Sequence, residues 1–186
     1  MSENVDLTAA ERRMQGAMES LRRDFASIRT GRANSSILDR VEVEAYGSRM
    51  PLNTVANISV PEARLLTVTP FDPSTSKDIE RAIENADLGL NPQNDGKIIR
   101  LPIPELTEER RKDMIKRARG MAEDTRVSVR NVRRDELKDI SELSREGDIS
   151  EDEERRAGEE LQRLTNKYVS RIDEALSDKE SELSEV

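Results

Sequence analysis

The chain of 186 residues contains no cysteine and no histidine, and aromatic side chains make up only 2% of it. Without Cys or His, disulfides, thiolate nucleophiles, His-based triads, structural zinc sites and His metal ligands are all excluded. The scarcity of aromatics argues against a stacking platform for single-stranded nucleic acid. Gly-rich phosphate loops are also missing. No nucleophile paired with a base is visible, so the chain is not expected to be an enzyme, and neither a cofactor nor a metal is expected. The first thirty residues carry Glu3, Asp6, Glu11 and Glu19 and no apolar run of membrane-spanning length. A cytoplasmic protein with no membrane partner is the expectation. Hydrophobic residues reach only 34%, so the core must be thin and built from Leu, Ile, Val, Met and Ala.

Charge is abundant: 31 Lys and Arg stand against 39 Asp and Glu, for a net charge of -8. Its distribution is uneven. Residues 110–134 hold 10 basic and 3 acidic groups, a local +7, whereas residues 135–186 hold 8 basic and 18 acidic groups. A basic block in an acidic protein is the electrostatic footprint of a phosphate-bearing partner. Arg dominates Lys by 24 to 7, which favours bidentate contacts with phosphate or carboxylate.

Three helices with narrow apolar seams are predicted. Met14, Met18, Leu21, Phe25 and Ile28 recur at helical spacing, with the helix ending near Thr30-Gly31. Thr107 is a candidate N-cap for a second helix running to about Glu146, roughly 60 Å at about 1.5 Å per residue. Ser150-Glu151-Asp152-Glu153 has the form of a capping box, opening a third helix with Ala157, Leu161, Leu164, Tyr168, Ile172 and Ala175 on one stripe. None of these seams stabilises a helix alone, so the economical arrangement packs all three into an elongated bundle.

Between the first two helices the texture changes. Val41–Tyr46 alternates apolar and polar and precedes a turn at Gly47-Ser48; 64–69 and 97–101 are further strands. A short helix should follow Asp72-Pro73-Ser74 with Ile79, Ala82, Ile83 and Ala86 inward. The fold class is therefore α+β: a three-helix bundle of residues 1–30 and 106–186, with a β/α/β domain, residues 31–105, inserted between helices one and two. Two chain crossings tether the insertion, so relative domain motion is expected, with Thr30, Gly31, Ala33, Pro104 and Glu105 as hinge residues.

On a helical wheel Lys112, Arg119, Arg126, Arg130 and Arg133 fall within one stripe beside the buried seam. Such a rigid row suits backbone contacts with folded RNA. The alternative is a solvated face whose arginines pair with acids on neighbouring helices. Only Asp113, Glu123 and Asp124 interrupt the block, which predicts too few local acids to pair it. Arg29 and Arg32 flank Gly31, where the pattern favours a helix C-cap over a phosphate contact. A helix stop and turn explains Asp87-Leu88-Gly89-Leu90-Asn91-Pro92 better than a ligand site does, and Glu151 to Glu154 fits the first turn of a capped helix.

The segments Ile28-Arg29-Thr30-Gly31-Arg32-Ala33, Asp87-Leu88-Gly89-Leu90-Asn91-Pro92, Leu106-Thr107-Glu108-Glu109-Arg110-Arg111-Lys112, Val129-Arg130-Asn131-Val132-Arg133-Arg134-Asp135 and Ile149-Ser150-Glu151-Asp152 occur in that order. With them the chain resembles, end to end, the bacterial ribosome recycling factor family. The resemblance implies an L-shaped, tRNA-like monomer whose bundle binds large-subunit rRNA on the post-termination 70S ribosome. Elongation factor G with GTP then drives subunit separation and release from mRNA, and the recycling factor itself hydrolyses nothing. Matched residue by residue, the rRNA-facing positions it implies are Arg130 and above all Arg133, with Arg111, Arg29 and Arg32 nearby. Arg119, Arg126 and Lys112 share the stripe but stay open between RNA contact and ion pairing. The competing reading from another class is a helical scaffold or cochaperone adaptor that binds a protein and no RNA.

Overall fold

The computed structural model describes residues 5–184. Residues 1–4 and 185–186, which belong to the expected bundle segments, lie outside the described residues. Along the chain run helix α1 (Thr8–Ala26), strands β1 (Glu42–Ala45), β2 (Ser48–Pro51), β3 (Ala56–Glu62) and β4 (Leu65–Pro70), and helix α2 (Ser76–Asn85). Strands β5 (Gln93–Asn94) and β6 (Ile99–Pro102) and helices α3 (Glu108–Glu146) and α4 (Glu151–Ser184) complete it. The class is α+β. The described residues divide into two compact units, one of residues 5–29 and 108–184, the other Thr30–Thr107.

In the helical unit, α1 buries Ala10, Met14, Met18, Leu21 and Phe25, the seam its spacing predicts. It ends earlier than Thr30: the Ser27 hydroxyl donates to the Asp24 carbonyl at 2.6 Å and the Ile28 amide to the Phe25 carbonyl at 3.1 Å, tightening the last turn. α3 buries Ala118, Ala122, Thr125, Val129, Val132 and Ile140. α4 buries Ala157, Leu161, Thr165, Tyr168, Ile172 and Leu183. Thr165 sits in this core because its hydroxyl donates to the Leu161 carbonyl at 2.8 Å, satisfying the polar atom within its own helix. The capping box is formed: the Ser150 amide donates to Glu153 Oε2 at 2.8 Å and the Glu153 amide to Ser150 Oγ at 3.2 Å. Arg119 and Arg126 of α3 pair with Glu180 and Asp173 of α4, so these two helices run antiparallel, and α1 is tied to both, Arg13 to Asp135 of α3 and Glu11 to Lys167 of α4.

The second unit holds a β1-β2 hairpin and an antiparallel sheet of order β3-β4-β6-β5. The predicted hairpin turn shifts by one residue. Tyr46 and Gly47, with φ of 54° and 78°, form the two-residue loop and Ser48 opens β2, as expected of a turn that needs two positive φ values to match strand twist. Sequence pattern also misses β3, where only Ala56 is buried. It is an edge strand, which is why it tolerates Pro61 and shows no alternation. Leu66 faces Leu101 and Val68 faces Ile99 in the β4-β6 register; these join Val43, Leu52, Ile79 and Ile83 in the core. Asp72 accepts from the Ser74 amide at 2.9 Å, capping the turn that leads into α2. Asp87 and Gly89, both at positive φ, close the stretch after α2 as a turn.

Candidate nucleic-acid interface

α3 is long because its seam is made of small and β-branched residues at helical spacing, flanked by charge, with Glu108 and Glu109 in the first turn, where the helix dipole favours them. The arginine stripe lies on the flank of α3 that borders α4. Its side chains do not stand alone there. Arg119 Nε donates to Glu180 Oε1 at 2.5 Å. Arg126 donates through Nε and Nη2 to Asp173 Oδ1 at 2.9 and 2.7 Å and through Nη1 to Glu123 at 3.0 Å. Lys112 pairs with Glu108 at 2.8 Å, one turn back along α3. The shortage of local acids does not leave the block unpaired: α4 supplies carboxylates from 47 and 61 residues away, so Arg119 and Arg126 follow the alternative of pairing with a neighbouring helix.

The pairing is graded. Arg126 keeps only 18% of its side chain exposed. Burial works against its charge, but the hydrogen bonds to Asp173 and Glu123 win and its pKa is raised. The pKa of Arg119 is raised by the hydrogen bond to Glu180. Arg130 is half-exposed and reaches Glu123 only at 3.4 Å. Arg133 differs in kind. Its Nη1 donates at 2.8 Å to Oε1 of Gln162, a neutral acceptor, and its Nε is buried without a partner. It makes no ion pair with any described residue, so it carries an uncompensated positive charge on the bundle surface.

Arg111 is half-buried near the start of α3, and Arg29 is exposed just beyond α1 in the same unit. Arg32 is exposed but belongs to the second unit. Of the hinge candidates, Thr30 opens the second unit and Gly31 has φ of 75°. Ala33 is tied to it by a hydrogen bond from its amide to the Ala63 carbonyl at 2.7 Å, and Glu105 by an ion pair with Arg64; Pro104 is exposed beside Glu105. Sequence reasoning overlooked Gln162, Asn166, Asp173 and Glu180. They share one polar flank of α4, and the heptad steps among Asn166, Asp173 and Glu180 mirror those among Arg133, Arg126 and Arg119. That matched spacing is the signal that finds them.

A row of guanidinium groups on a stiff helix can bind phosphate oxygens through paired N–H donors, and it offers nothing that could move a proton or attack a bond. No helix among the described residues is long and apolar enough to cross a membrane.

The model of the family described as ribosome recycling factor matches residues 21–183. A ribosome-recycling factor of Rubrobacter xylanophilus is 68% identical over the whole of both chains, and one of Bacillus subtilis is 50% identical over the same extent. Among solved structures, a solution structure of a ribosome recycling factor is 41% identical with a TM-score of 0.72, covering 95% of this chain and 94% of its own. The T. thermophilus ribosome recycling factor, described with E. coli elongation factor G bound to the E. coli post-termination complex, is 42% identical with a TM-score of 0.59, covering 94% of this chain and 95% of its own.

Proposed function

The chain belongs to the ribosome recycling factor family, and we propose from that premise that it binds the post-termination 70S ribosome and, with elongation factor G and GTP, promotes its dissociation into subunits. Release from mRNA then frees the ribosome for another round of translation. The observation that carries this reading is identity at the level of 68% along the entire chain with a ribosome-recycling factor. The factor performs no chemistry of its own, works as a monomer and acts in the cytoplasm, where its ribosomal partner is.

The bundle acts as a stiff arm held on large-subunit rRNA by Arg133 and Arg130, with Arg29, Arg32 and Arg111 as supporting contacts. Arg130 and Arg133 are favoured because the graded pairing leaves them the most charge to offer phosphate. Thr30, Gly31, Ala33, Pro104 and Glu105 form the hinge through which the translocase moves the second unit. The energy comes from the partner's GTP, and the factor contributes by favouring the rearranged ribosome over the intact one.

Light scattering of purified post-termination ribosomes with elongation factor G and GTP tests this. The expected result is a scattering drop that requires the protein and is lost with Arg133→Ala. A folded native protein that causes no drop with cognate components overturns the reading.

A further inference from the structure

Across the antiparallel α3–α4 seam, Arg119, Arg126 and Arg133 stand one heptad apart and face Glu180, Asp173 and the Gln162-Asn166 pair. The first two rungs are carboxylates. The third is built from amides. Arg119 and Arg126 are thus ion-paired within the protein, the first at the surface and the second largely covered, and Arg133 is not.

We propose that Gln162 is a positioning residue for RNA binding: it fixes the Arg133 guanidinium for phosphate without cancelling its charge. The inference rests on the rRNA-binding reading above.

The chemistry of the amide is decisive. An arginine can only donate, so the group facing Arg133 must be the Oε1 acceptor. That turns Nε2 of Gln162 toward Asn166, where it donates to Oδ1 at 2.8 Å. Asn166 therefore holds Gln162 in orientation, and Gln162 holds Arg133. With Nε of Arg133 buried and one Nη1 proton given to Gln162, the remaining Nη protons are the donors left for a phosphate oxygen. A glutamate in place of Gln162 would have the same reach and shape but would repeat the ion-paired rungs below it. A neutral acceptor orders the side chain at a cost in rotamer freedom already met before the RNA arrives, and it leaves the full charge for counterion release.

The test is equilibrium binding of the full chain to purified 70S ribosomes across a KCl series. Gln162→Glu is compared with Gln162→Ala, Arg133→Ala and the Gln162→Glu/Arg133→Ala double variant, each checked for an unchanged helical spectrum. Gln162→Glu is expected to weaken binding about tenfold and lower the salt slope by about one, as Arg133→Ala does. Gln162→Ala is expected to weaken it about threefold with the slope unchanged, because charge is kept and only orientation is lost. In the Arg133→Ala background, Gln162→Glu should add nothing further.

If Gln162→Glu binds like the native protein while Arg133→Ala is weak, the inference is wrong and the RNA-binding reading stands. If Gln162→Glu weakens binding equally with or without Arg133, the added charge acts on the RNA directly and the inference again fails. If Arg133→Ala itself binds like the native protein, the reading beneath the inference falls, and the inference with it.

Discussion

Arg126 and Asp173 are joined across the α3–α4 seam by two hydrogen bonds, in which Nε and Nη2 of the guanidinium converge on a single carboxylate oxygen. The arginine is four-fifths covered, so its stem contributes packing as well as charge. The pair acts as a staple between two helices whose apolar seams are narrow.

Removing one side of that staple leaves Arg126 with Glu123 alone. Asp173→Ala is expected to destabilise the bundle by about 1 kcal/mol, lowering its thermal midpoint by about 3 °C. Thermal unfolding followed by circular dichroism measures it, and a double-mutant cycle with Arg126→Ala should return a coupling of the same sign. An unchanged midpoint would show the pair to be ornamental.

Gly16 lies in the interior of α1, is exposed, and has no atom within 4 Å of the position a β-carbon would take. Gly16→Ala should therefore stabilise the bundle by about 1 kcal/mol through backbone entropy and helix propensity. The expected readout is a thermal midpoint about 3 °C higher. A lower midpoint would mean the helix needs the glycine.

In the second unit the Tyr46 hydroxyl donates to Asp72 Oδ2 at 2.7 Å. That bond, followed by the Ser74 amide, holds the Asp72 carboxyl below its usual pKa. The same bond pushes the Tyr46 phenol upward. The Asp72 contribution to stability is present above the unfolded carboxylate pKa of about 4 and lost as pH falls through the lower folded value. The Tyr46 contribution is full below about pH 10 and lost as pH rises through its higher folded value. Tyr46→Phe should make the urea midpoint of this unit less dependent on pH at both ends. Part of the acid limb should survive, because Asp95 is also held well below the usual range, by the Ile98 amide, Arg100 and the Lys97 amide. Identical pH profiles for native and variant proteins would exclude a role for the tether.

Leu161 and Leu66 are both fully buried, one in each unit. Truncating either to alanine should cost about 3 kcal/mol at its own site. Scanning calorimetry is expected to show Leu161→Ala shifting the bundle transition and Leu66→Ala that of the inserted unit. A single transition moved by both would argue against two autonomous units.

Several parts of this protein are decided by sequence alone. The seams of α1 and α4 follow from apolar residues at steps of three and four, since helical period translates directly into burial on one face. The Ser150–Glu153 cap is equally local, because both partners lie within one turn. So is the alignment of Arg119, Arg126 and Arg133 on one flank, and the five ordered segments carry the family on their own.

Tertiary structure decided what periodicity cannot encode. Edge position leaves β3 without alternation, and strand twist places the hairpin turn on Tyr46 and Gly47. Above all, the partners that Arg119, Arg126 and Arg133 meet across the seam come from α4, far along the chain. Which carboxylate meets which guanidinium depends on the register between two antiparallel helices, and that register is set by how their buried residues interlock. Local charge counting placed a uniform basic stripe on α3; packing turned it into two ion-paired rungs and one whose partner is neutral.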